Sequence, residues 1–150
     1  MSSGGGDCTN FTSQSIYYGG FPMDTVGSDS QSNVWYYNFV GTDSFDSNYD
    51  DTWSVSWAVS NTNAYYLSRN YGSYIDTADF DNLKLGDLIY YDFDNDGYFD
   101  HTTIITSFDT DGTPRVTYRN AEGYDPAKDR RWDDISSQRV RAIQLVDSIL

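Results

Sequence analysis

Apolar side chains recur at helical spacing in two segments of the first half of the chain, residues 8–18 and 60–72. The repeat of three to four positions places these side chains on one face of an α-helix. They are Cys8, Phe11 and Tyr18 in the first segment and Ala64, Leu67 and Tyr71 in the second. Asp7 and Ser60 stand where N-cap residues are expected, and Gly72 stands where the second helix should end. The pattern therefore predicts two early helices.

The later part of the chain has the pattern of β-strands. Short runs rich in β-branched and aromatic residues alternate with turn residues. The predicted strands are 87–93, 101–108, 114–120 and 139–149, with one earlier strand at 34–40. The sequence DTDGT, between two of them, is typical of a hairpin turn. Helices followed by antiparallel strands predict an α+β fold with a sheet packed against an early helix.

The length of the chain favours one domain over residues 1–150. It suffices for one hydrophobic core, whereas two domains would each bury little surface. The first six residues, MSSGGG, are typical of an artificial leader or a linker, and no internal repeat or low-complexity tract divides the rest. Aromatic residues make up 17% of the chain. Such a composition suits a cleft lined with rings better than a dry aliphatic interior.

The formal net charge of the chain is −14. This charge disfavours binding to a nucleic-acid backbone or to an anionic membrane surface. The sequence has no membrane-spanning run and no signal peptide. Few lysines and many Asn, Ser, Thr and Tyr residues are typical of an exported bacterial protein. We therefore predict a secreted or cell-wall-associated bacterial protein without a nucleic-acid partner.

The chain has a single cysteine, Cys8, and a single histidine, His101. Backbone amides at a helix start stabilise a thiolate, which can attack a carbonyl carbon. His101 opens a predicted strand and is the candidate base. One Cys and one His far apart in sequence form the arrangement expected of a cysteine hydrolase. The alternative is a buried thiol that acts as a small apolar side chain, with a surface imidazole.

A catalytic imidazole needs a third group that fixes its tautomer. Pairing of the two hairpin strands about a turn near residue 111 places residue 120 or 122 opposite His101. Asn120 and Glu122 point to the same face of the strand. We choose Asn120 as the orienting residue and keep Glu122 in reserve. The alternative is that both are solvated polar residues at a strand end.

The segment DFDNDGYFDH, residues 92–101, begins like a calcium-binding loop. Three carboxylates at alternate positions precede a glycine that allows a sharp turn. The predicted Ca²⁺ ligands are Asp92, Asp94, Asp96, the Tyr98 carbonyl and Asp100. Thr103 holds the twelfth position, where the usual bidentate Glu is missing, and this predicts a weaker site. The alternative is a polar turn without metal.

Four segments together resemble the bacterial putative amidase domain family. They are GGDCTNFTSQ, SVSWAVSNTNAYYL, LGDLIYYDFDNDGYFDHTTII and VTYRN. That family is similar to the papain-like cysteine hydrolases, which include the NlpC-type peptidases and the CHAP amidases. The resemblance covers residues 5–122. It implies a papain-like, NlpC-type fold in which the helix that carries Cys8 packs on an antiparallel sheet.

The resemblance also implies roles for individual residues. Cys8 is the implied nucleophile and His101 the implied base, and Asp7 and Thr9 match positions that contact the substrate amine in NlpC-type enzymes. The family tends to have YH where this chain has Tyr118 and Arg119, so the third catalytic residue departs from the pattern. The aromatic candidates to line the cleft, with the core as the alternative, are Trp35, Tyr36, Tyr37 and Trp57.

We therefore predict a cysteine amidase or endopeptidase that acts on peptidoglycan peptides, as a lysin or as a toxin held by an immunity protein. An acidic domain is not steered to anionic wall polymers by charge, so a wall-binding module elsewhere in the full protein is expected. One alternative is a calcium-braced, aromatic-lined binding module without turnover. Another is an acyltransferase that uses the same thioester.

Overall fold

The computed structural model describes residues 7–27, 33–38, 52–119 and 127–146. Within them the α-helices are α1 (Asp7–Tyr18), α2 (Val55–Ala58) and α3 (Ser60–Asn70). The strands are β1 (Tyr37–Asn38), β2 (Thr52–Trp53), β3 (Gly72–Asp76), β4 (Leu88–Asp92), β5 (His101–Phe108), β6 (Pro114–Tyr118), β7 (Lys128–Arg131) and β8 (Arg139–Leu145). Two 3₁₀-helices lie at Thr77–Asn82 and Trp132–Asp134.

Six strands form one antiparallel sheet in the order β3-β8-β4-β5-β6-β7, and β1 pairs with β2 separately. Helix α1 packs against β5, and α3 against β3 and β8. This arrangement confirms the predicted α+β class and the antiparallel sheet on an early helix. None of the helices that the structure describes is long and apolar enough to cross a membrane.

The two faces of the sheet carry separate apolar clusters. Along β4, Leu88 and Tyr90 belong to the cluster that the helices cover, whereas Ile89 and Tyr91 belong to the cluster on the opposite face. All five residues of β4 are buried, because both faces of this strand are covered. The first cluster, which we call the helix-side cluster, includes Ile16, Trp35, Trp57, Leu67, Leu88, Tyr90 and Ile104. The second, the far-side cluster, includes Phe80, Leu83, Ile89, Tyr91, Ile105, Val116 and Tyr118.

Helix α1 is buried through polar side chains more than through apolar ones. Ser13 shows how this works: its hydroxyl donates to the Trp57 carbonyl (2.8 Å) and accepts from Trp35 Nε1 (3.1 Å) and Asn63 Nδ2 (3.2 Å). A hydroxyl has one proton and two lone pairs, so every hydrogen-bonding position of Ser13 is used. Burial of a polar group costs little free energy when it is fully hydrogen-bonded. The sequence of α1 is therefore compatible with the core.

The ends of α3 differ from the prediction. Val59 is the N-cap residue and makes no side-chain capping bond, while Ser60 is the first helical residue. The hydroxyl of Ser60 contacts other elements, as described below. Gly72 opens β3 and does not cap the helix. A Cβ atom at this position would lie 2.5 Å from the Gln144 carbonyl oxygen, so the glycine permits close approach of β3 to β8.

Four of the helices and strands were not predicted from the pattern: α2, β2, β3 and β7. Strand β7 has the sequence KDRR, which lacks the apolar alternation of a half-buried strand because it lies at the sheet edge. The predicted strand 34–40 is reduced to β1 and an isolated bridge between Trp35 and Asp24. The predictions for residues 39–40, 120 and 147–149 lie outside the described residues.

Candidate active site

Cys8 lies in the first turn of α1, as predicted, and is 5% exposed. The first backbone N–H groups of a helix have no partner within the helix, so Cys8 stands beside donors suited to a developing negative charge. Its Sγ lies 3.7 Å from Thr9 Oγ1. The carbonyl of Cys8 accepts a hydrogen bond from Thr12 Oγ1 (2.9 Å), which fixes the backbone at the candidate nucleophile.

Asp7 is the first residue of α1, and its carboxylate is buried. Oδ1 accepts a hydrogen bond from Asn10 Nδ2 (3.0 Å), and Asn10 Oδ1 accepts one from Trp57 Nε1 (2.8 Å). Oδ2 lies 3.3 Å from Arg119 Nε, an ion-pair distance, but accepts no hydrogen bond from the described part of the chain. The carboxylate is thus held in place with one oxygen able to accept a further hydrogen bond.

Thr9 is fully buried, and its hydroxyl faces the interior. Oγ1 lies 2.8 Å from Ser60 Oγ and 3.1 Å from Thr102 Oγ1, and Thr102 Oγ1 donates to Ser60 Oγ over 2.8 Å. We call these three groups the hydroxyl triangle. It joins α1, α3 and β5. The structure therefore directs the Thr9 side chain into the core, whereas the resemblance implies a substrate contact.

His101 is the first residue of β5, as predicted, and is 7% exposed. Its ring packs against Tyr91, Phe93 and Tyr118, with centroid distances of 5.8, 5.9 and 4.7 Å. Burial lowers the pKa of His101 to about 4. The imidazole is therefore neutral near pH 7 and able to accept a proton. Among the described residues no side chain is hydrogen-bonded to it.

The structure brings the backbones of Cys8 and His101 together, but not their side chains. The residues that follow them, Thr9 and Thr102, are hydrogen-bonded at 3.1 Å. Successive side chains of a strand point to opposite faces, so His101 lies on the far side while Thr102 faces the helices. No hydrogen bond joins Cys8 Sγ to the imidazole. The Cys8 thiol lies on the same side of the sheet as Tyr90. Burial raises the pKa of Tyr90, and electrostatic interactions with Tyr74 and Cys8 raise it further.

The two candidates for the orienting residue, Asn120 and Glu122, lie outside the described residues. The described hairpin has Phe108 opposite Pro114 near its turn and Ile104 opposite Thr117 further along, with a shift of register between Ile105 and Ser107. Such a bulge inserts one residue into one strand of the pair. The sequence pattern did not predict it.

The sequence pattern also did not predict the aromatic residues that surround His101. Tyr91 is its direct partner on β4, and Tyr118 meets its ring edge-on, at an interplanar angle of 88°. Tyr118 lies two positions before residue 120, so the same alternation that selected Asn120 would have placed Tyr118 on that face. Phe93, which stacks on the ring, follows β4 directly.

Trp35 and Trp57 lie in the core and line no cleft among the described residues. Both are fully buried, with ring centroids 4.8 Å apart. Tyr36 and Tyr37 are partly exposed, and Tyr37 stacks on Trp53 at a centroid distance of 5.7 Å. For the two tryptophans, the alternative that they belong to the core and not to a cleft is therefore the correct one. Trp57 still has a part in the site, because its indole holds Asn10 and, through it, Asp7.

The acidic loop between β4 and β5 gathers four carboxylates. Asp92, Asp94, Asp96 and Asp100 each offer an oxygen, and these atoms lie within 4.8 Å of one another. The turn is sharp, with φ of 57° at Asn95 and 93° at Gly97. These are four of the five predicted ligand residues. Tyr98, the fifth, is 64% exposed, and its backbone N–H donates to Asp96 Oδ1 (2.9 Å).

The pKa values of two carboxyl groups in this loop are shifted in opposite directions. Desolvation, followed by repulsion from Asp96 and Asp100, raises the pKa of Asp94. Desolvation acts in the same direction on Asp92, but hydrogen bonds from the Gly97 amide and from Arg139 outweigh it and lower the pKa of Asp92. Three close carboxylates without a cation repel one another. The donor set consists of hard oxygen ligands, the type that Ca²⁺ binds.

Comparison with known proteins gives a family match and one similar bacterial protein. The family model described as "Putative amidase domain" matches residues 1–146. The "Uncharacterized protein YhbB" of Bacillus subtilis (strain 168) is 34% identical to the chain over 128 residues, which cover 84% of this chain and 36% of that protein. No solved structure matches the chain significantly. The papain-like, NlpC-type relationship therefore stays a prediction.

Proposed function

Because the chain belongs to the putative amidase domain family, we propose that it is a cysteine-dependent amidase. The Cys8 sulfur attacks the amide carbonyl carbon, and a thioester forms as the C–N bond breaks. His101 takes the thiol proton and returns it to the leaving amine. Water then attacks the thioester, with His101 as the base, and releases the acid and the free thiol. Backbone N–H groups at the start of α1 stabilise the oxyanion.

The observation that carries this proposal is the hydrogen bond between Thr9 and Thr102. It holds the segments of Cys8 and His101 side by side, although 93 residues separate Thr9 from Thr102 along the chain. A binding module without turnover gives no reason for the segments that carry the single thiol and the single imidazole to lie side by side.

Proton transfer requires the imidazole to come within hydrogen-bond reach of Cys8 Sγ. In the structure the ring lies on the far side, against Tyr118. His101 is the first residue of β5, and we propose that its side chain turns towards the helices at this strand end. Catalytic hydrogen bonds often tighten only when the substrate binds. We therefore propose that the Cys8–His101 pair forms in part of the free molecules and that substrate binding completes it.

Asn120 is the proposed orienting residue, with Glu122 in reserve. The register beyond the bulge supports this choice: Ile104 pairs with Thr117, and the same register, if continued, would bring position 120 opposite His101. An amide oxygen there accepts the ring N–H and fixes the tautomer.

Asp7 is the proposed substrate-recognition group. It is buried beside Cys8, and Oδ2 can accept a further hydrogen bond. A substrate amine would offer such a donor, and its positive charge would add to that of Arg119 beside the buried carboxylate. This proposal agrees with the role that the resemblance implies for the residue before the cysteine.

The proposed substrates are amide bonds of peptidoglycan peptides, and the proposed location is secreted or associated with the bacterial cell wall. The matched region is 36% of the Bacillus relative. The rest of a protein of that length is long enough to include a wall-binding module. The proposed biological role is that of a lysin or of a toxin that an immunity protein inhibits.

Digestion of purified peptidoglycan, followed by mass spectrometry, tests this function. We expect new amino and carboxyl termini with the wild-type domain and none with Cys8→Ala, which should fold normally because Ala is close to Cys in volume. Products that carry an added amine in place of a free carboxylate would indicate acyl transfer. Cleavage by Cys8→Ala at the wild-type rate would refute the cysteine mechanism.

A second proposal is that the acidic loop binds Ca²⁺. The four carboxylate oxygens within 4.8 Å support it. Asp100 Oδ2 accepts a hydrogen bond from the backbone N–H of Phe93 (2.9 Å), and Phe93 stacks on His101. A bound ion would thus brace one wall of the site that holds the base.

A further inference from the structure

The hydroxyl triangle has a single arrangement of protons that satisfies all its members. Each hydroxyl has one proton to donate. Because Thr102 donates to Ser60, all three contacts are hydrogen bonds only if Ser60 donates to Thr9 and Thr9 donates to Thr102. Each group then donates once and accepts once in a closed ring. Hydrogen bonds in such a chain polarise and strengthen one another.

The triangle is also well shielded from water. Thr9 and Thr102 are fully buried, and Ser60 is 5% exposed. Loss of one hydroxyl would leave two buried polar groups with an incomplete set of partners, which costs more than the bond itself contributes. Three elements, α1, α3 and β5, thus meet at a point where their separation is fixed by oxygen–oxygen distances of 2.8–3.1 Å.

We propose that the hydroxyl triangle is a positioning device that sets the separation between Cys8 and His101. Thr9 and Thr102 directly follow these two residues, so any change in the Thr9–Thr102 distance moves both. Thr9 Oγ1 also lies 3.7 Å from Cys8 Sγ. This inference rests on the proposed cysteine mechanism, and it gives Thr9 a positioning role in place of a substrate contact.

Geometry of this kind matters because proton transfer needs donor and acceptor within hydrogen-bond reach. A misplacement of about 1 Å can reduce a catalytic rate about 100-fold. Without the triangle, α1 and β5 would still be held by the other contacts of the core, but with freedom to slide against each other. The imidazole would then assist the thiol in fewer molecules. The coupling between the two residues, more than the fold, should depend on the triangle.

A double-mutant cycle on thiol alkylation tests this coupling and needs no substrate. The rate of Cys8 alkylation by iodoacetamide at pH 7 is measured with and without His101→Gln. In the wild-type background we expect His101→Gln to slow alkylation about 10-fold, because the base is lost. In the Thr102→Val background the same substitution should change the rate less than about threefold. Such non-additivity is the signature of interacting residues.

Two further backgrounds separate positioning from general loosening of the strand. Thr103→Val is the matched control, since Thr103 is the next residue of β5, is fully buried and donates to the Ile89 carbonyl (3.0 Å) on the opposite face. The about 10-fold effect of His101→Gln should persist there. It should also persist in Thr102→Ser, which keeps the hydroxyl. Thermal melts check that each variant is folded, and Ser60→Ala replaces Thr102→Val if the latter is not.

An equal effect of His101→Gln in the wild-type and Thr102→Val backgrounds would overturn the positioning role and leave the cysteine mechanism intact. Loss of the effect in Thr103→Val as well would also overturn it, because any loosening of β5 would then suffice. If His101→Gln does not slow alkylation in the wild-type protein, the cysteine mechanism itself is contradicted, and the positioning role falls with it.

Discussion

His101 has aromatic rings around it where a surface histidine has water. Tyr91, Phe93 and Tyr118 surround the ring, and none of them offers the imidazolium a compensating negative charge. The protonated form is therefore disfavoured, and burial lowers the pKa from 6.5 to about 4. The same environment that keeps the base free of a proton also links its ionisation to folding.

We expect the domain to lose stability as the pH falls below 6.5. The imidazole of the unfolded chain titrates near 6.5, whereas in the folded state it titrates near 4. Between these values the unfolded state binds a proton that the folded state does not, so the free energy of unfolding decreases as the pH is lowered. The contribution of His101 is a loss of about 2 kcal/mol between pH 7.5 and pH 5. Urea unfolding at the two pH values measures it.

His101→Gln is the control for this prediction, since it keeps a polar side chain but has no proton to gain. The carboxylates titrate in both proteins, and the difference between the two pH dependences therefore isolates the imidazole. The same loss of stability in the variant as in the wild type would contradict the prediction.

At the scale of elements, close approach between strands sets the shape of the sheet. Gly72 lies where β3 meets β8, and an added Cβ would lie 2.5 Å from the Gln144 carbonyl oxygen and 2.7 Å from Ile143 Cγ2. The nearest atom belongs to the backbone of the neighbouring strand and cannot turn away as a side chain could. One methyl group would thus push β3 from the sheet.

Gly72→Ala is accordingly expected to reduce the free energy of unfolding by about 1–3 kcal/mol, the usual cost of overpacking. Ser73→Ala, at the next and exposed position of β3, should change it by less than about 0.5 kcal/mol. Urea unfolding of the three proteins gives both values. A Gly72→Ala variant as stable as Ser73→Ala would mean that β3 moves freely against β8.

The register of the β5–β6 hairpin gives a prediction about the orienting residue. Asn120→Ala should lower kcat about 10- to 1000-fold, and less than Cys8→Ala, because residues of one catalytic unit are non-additive and the orienting member often costs least. Glu122→Ala should have a smaller effect, because the pairing of Ile104 with Thr117, if continued, favours position 120 over position 122. Release of new amino termini from peptidoglycan measures the rates. A greater loss of kcat with Glu122→Ala than with Asn120→Ala would indicate that the true register differs from the assumed one by one pair.

The elements that the sequence predicted are those with a strong apolar period. Helices α1 and α3 and strands β4, β5, β6 and β8 coincide with predicted segments within a few residues at each end. Strand β7 could not be predicted, because KDRR pairs through its backbone at a sheet edge and has no apolar alternation. The bulge between Ile105 and Ser107 could not be predicted either, because it contains no glycine, the residue that often marks a bulge in a strand.

The site was predictable where it depends on position along the chain, and not where it depends on contacts between elements. Cys8 at a helix start and His101 at a strand start follow from local patterns. The aromatic surroundings of His101 come from two neighbouring strands, and the burial of Thr9 comes from α3 and β5. Residues 60 and 102 are far from Thr9 in sequence, so no spacing rule connects them.

At the scale of the whole molecule, negative charge is the dominant electrostatic feature. The net charge is −14, and self-repulsion of this size destabilises a compact state. Arginines offset part of it: Arg131 pairs with Asp109, Asp111 and Asp133. The loop of Asp92–Asp100 gathers four carboxylates, and Arg139 pairs with one of them, Asp92, so a cation should stabilise the molecule most at this loop.

We expect Ca²⁺ to raise the Tm of the domain and EDTA to lower it. A ligand that binds only the folded state adds about 2.7 kcal/mol at 100 times its Kd, and each kcal/mol moves Tm by roughly 2–8 °C for domains of this size. Mg²⁺ should substitute poorly, because it requires smaller octahedral geometry and retains its waters. Thermal melts in millimolar Ca²⁺, in Mg²⁺ and in EDTA provide the measurement.

Asp94→Ala should abolish the Ca²⁺ effect, while Asp79→Ala, which removes the same charge from an exposed position outside the loop, should preserve it. Because Phe93 links the loop to His101, EDTA should also reduce the rate of peptidoglycan cleavage. Overlapping melts of the wild type in Ca²⁺ and EDTA would show that the loop is a polar turn without metal.

The polar burial of α1 has a consequence for how this part of the chain can change over evolutionary time. An apolar helix face accepts many substitutions, since one hydrocarbon side chain fills space much as another does. Ser13 instead satisfies three partners at once, and no other side chain offers one donor and two acceptors in the same volume. Neighbouring positions must therefore change together or not at all. We expect homologues to vary freely at Ile16 among apolar residues, while Ser13 stays the same.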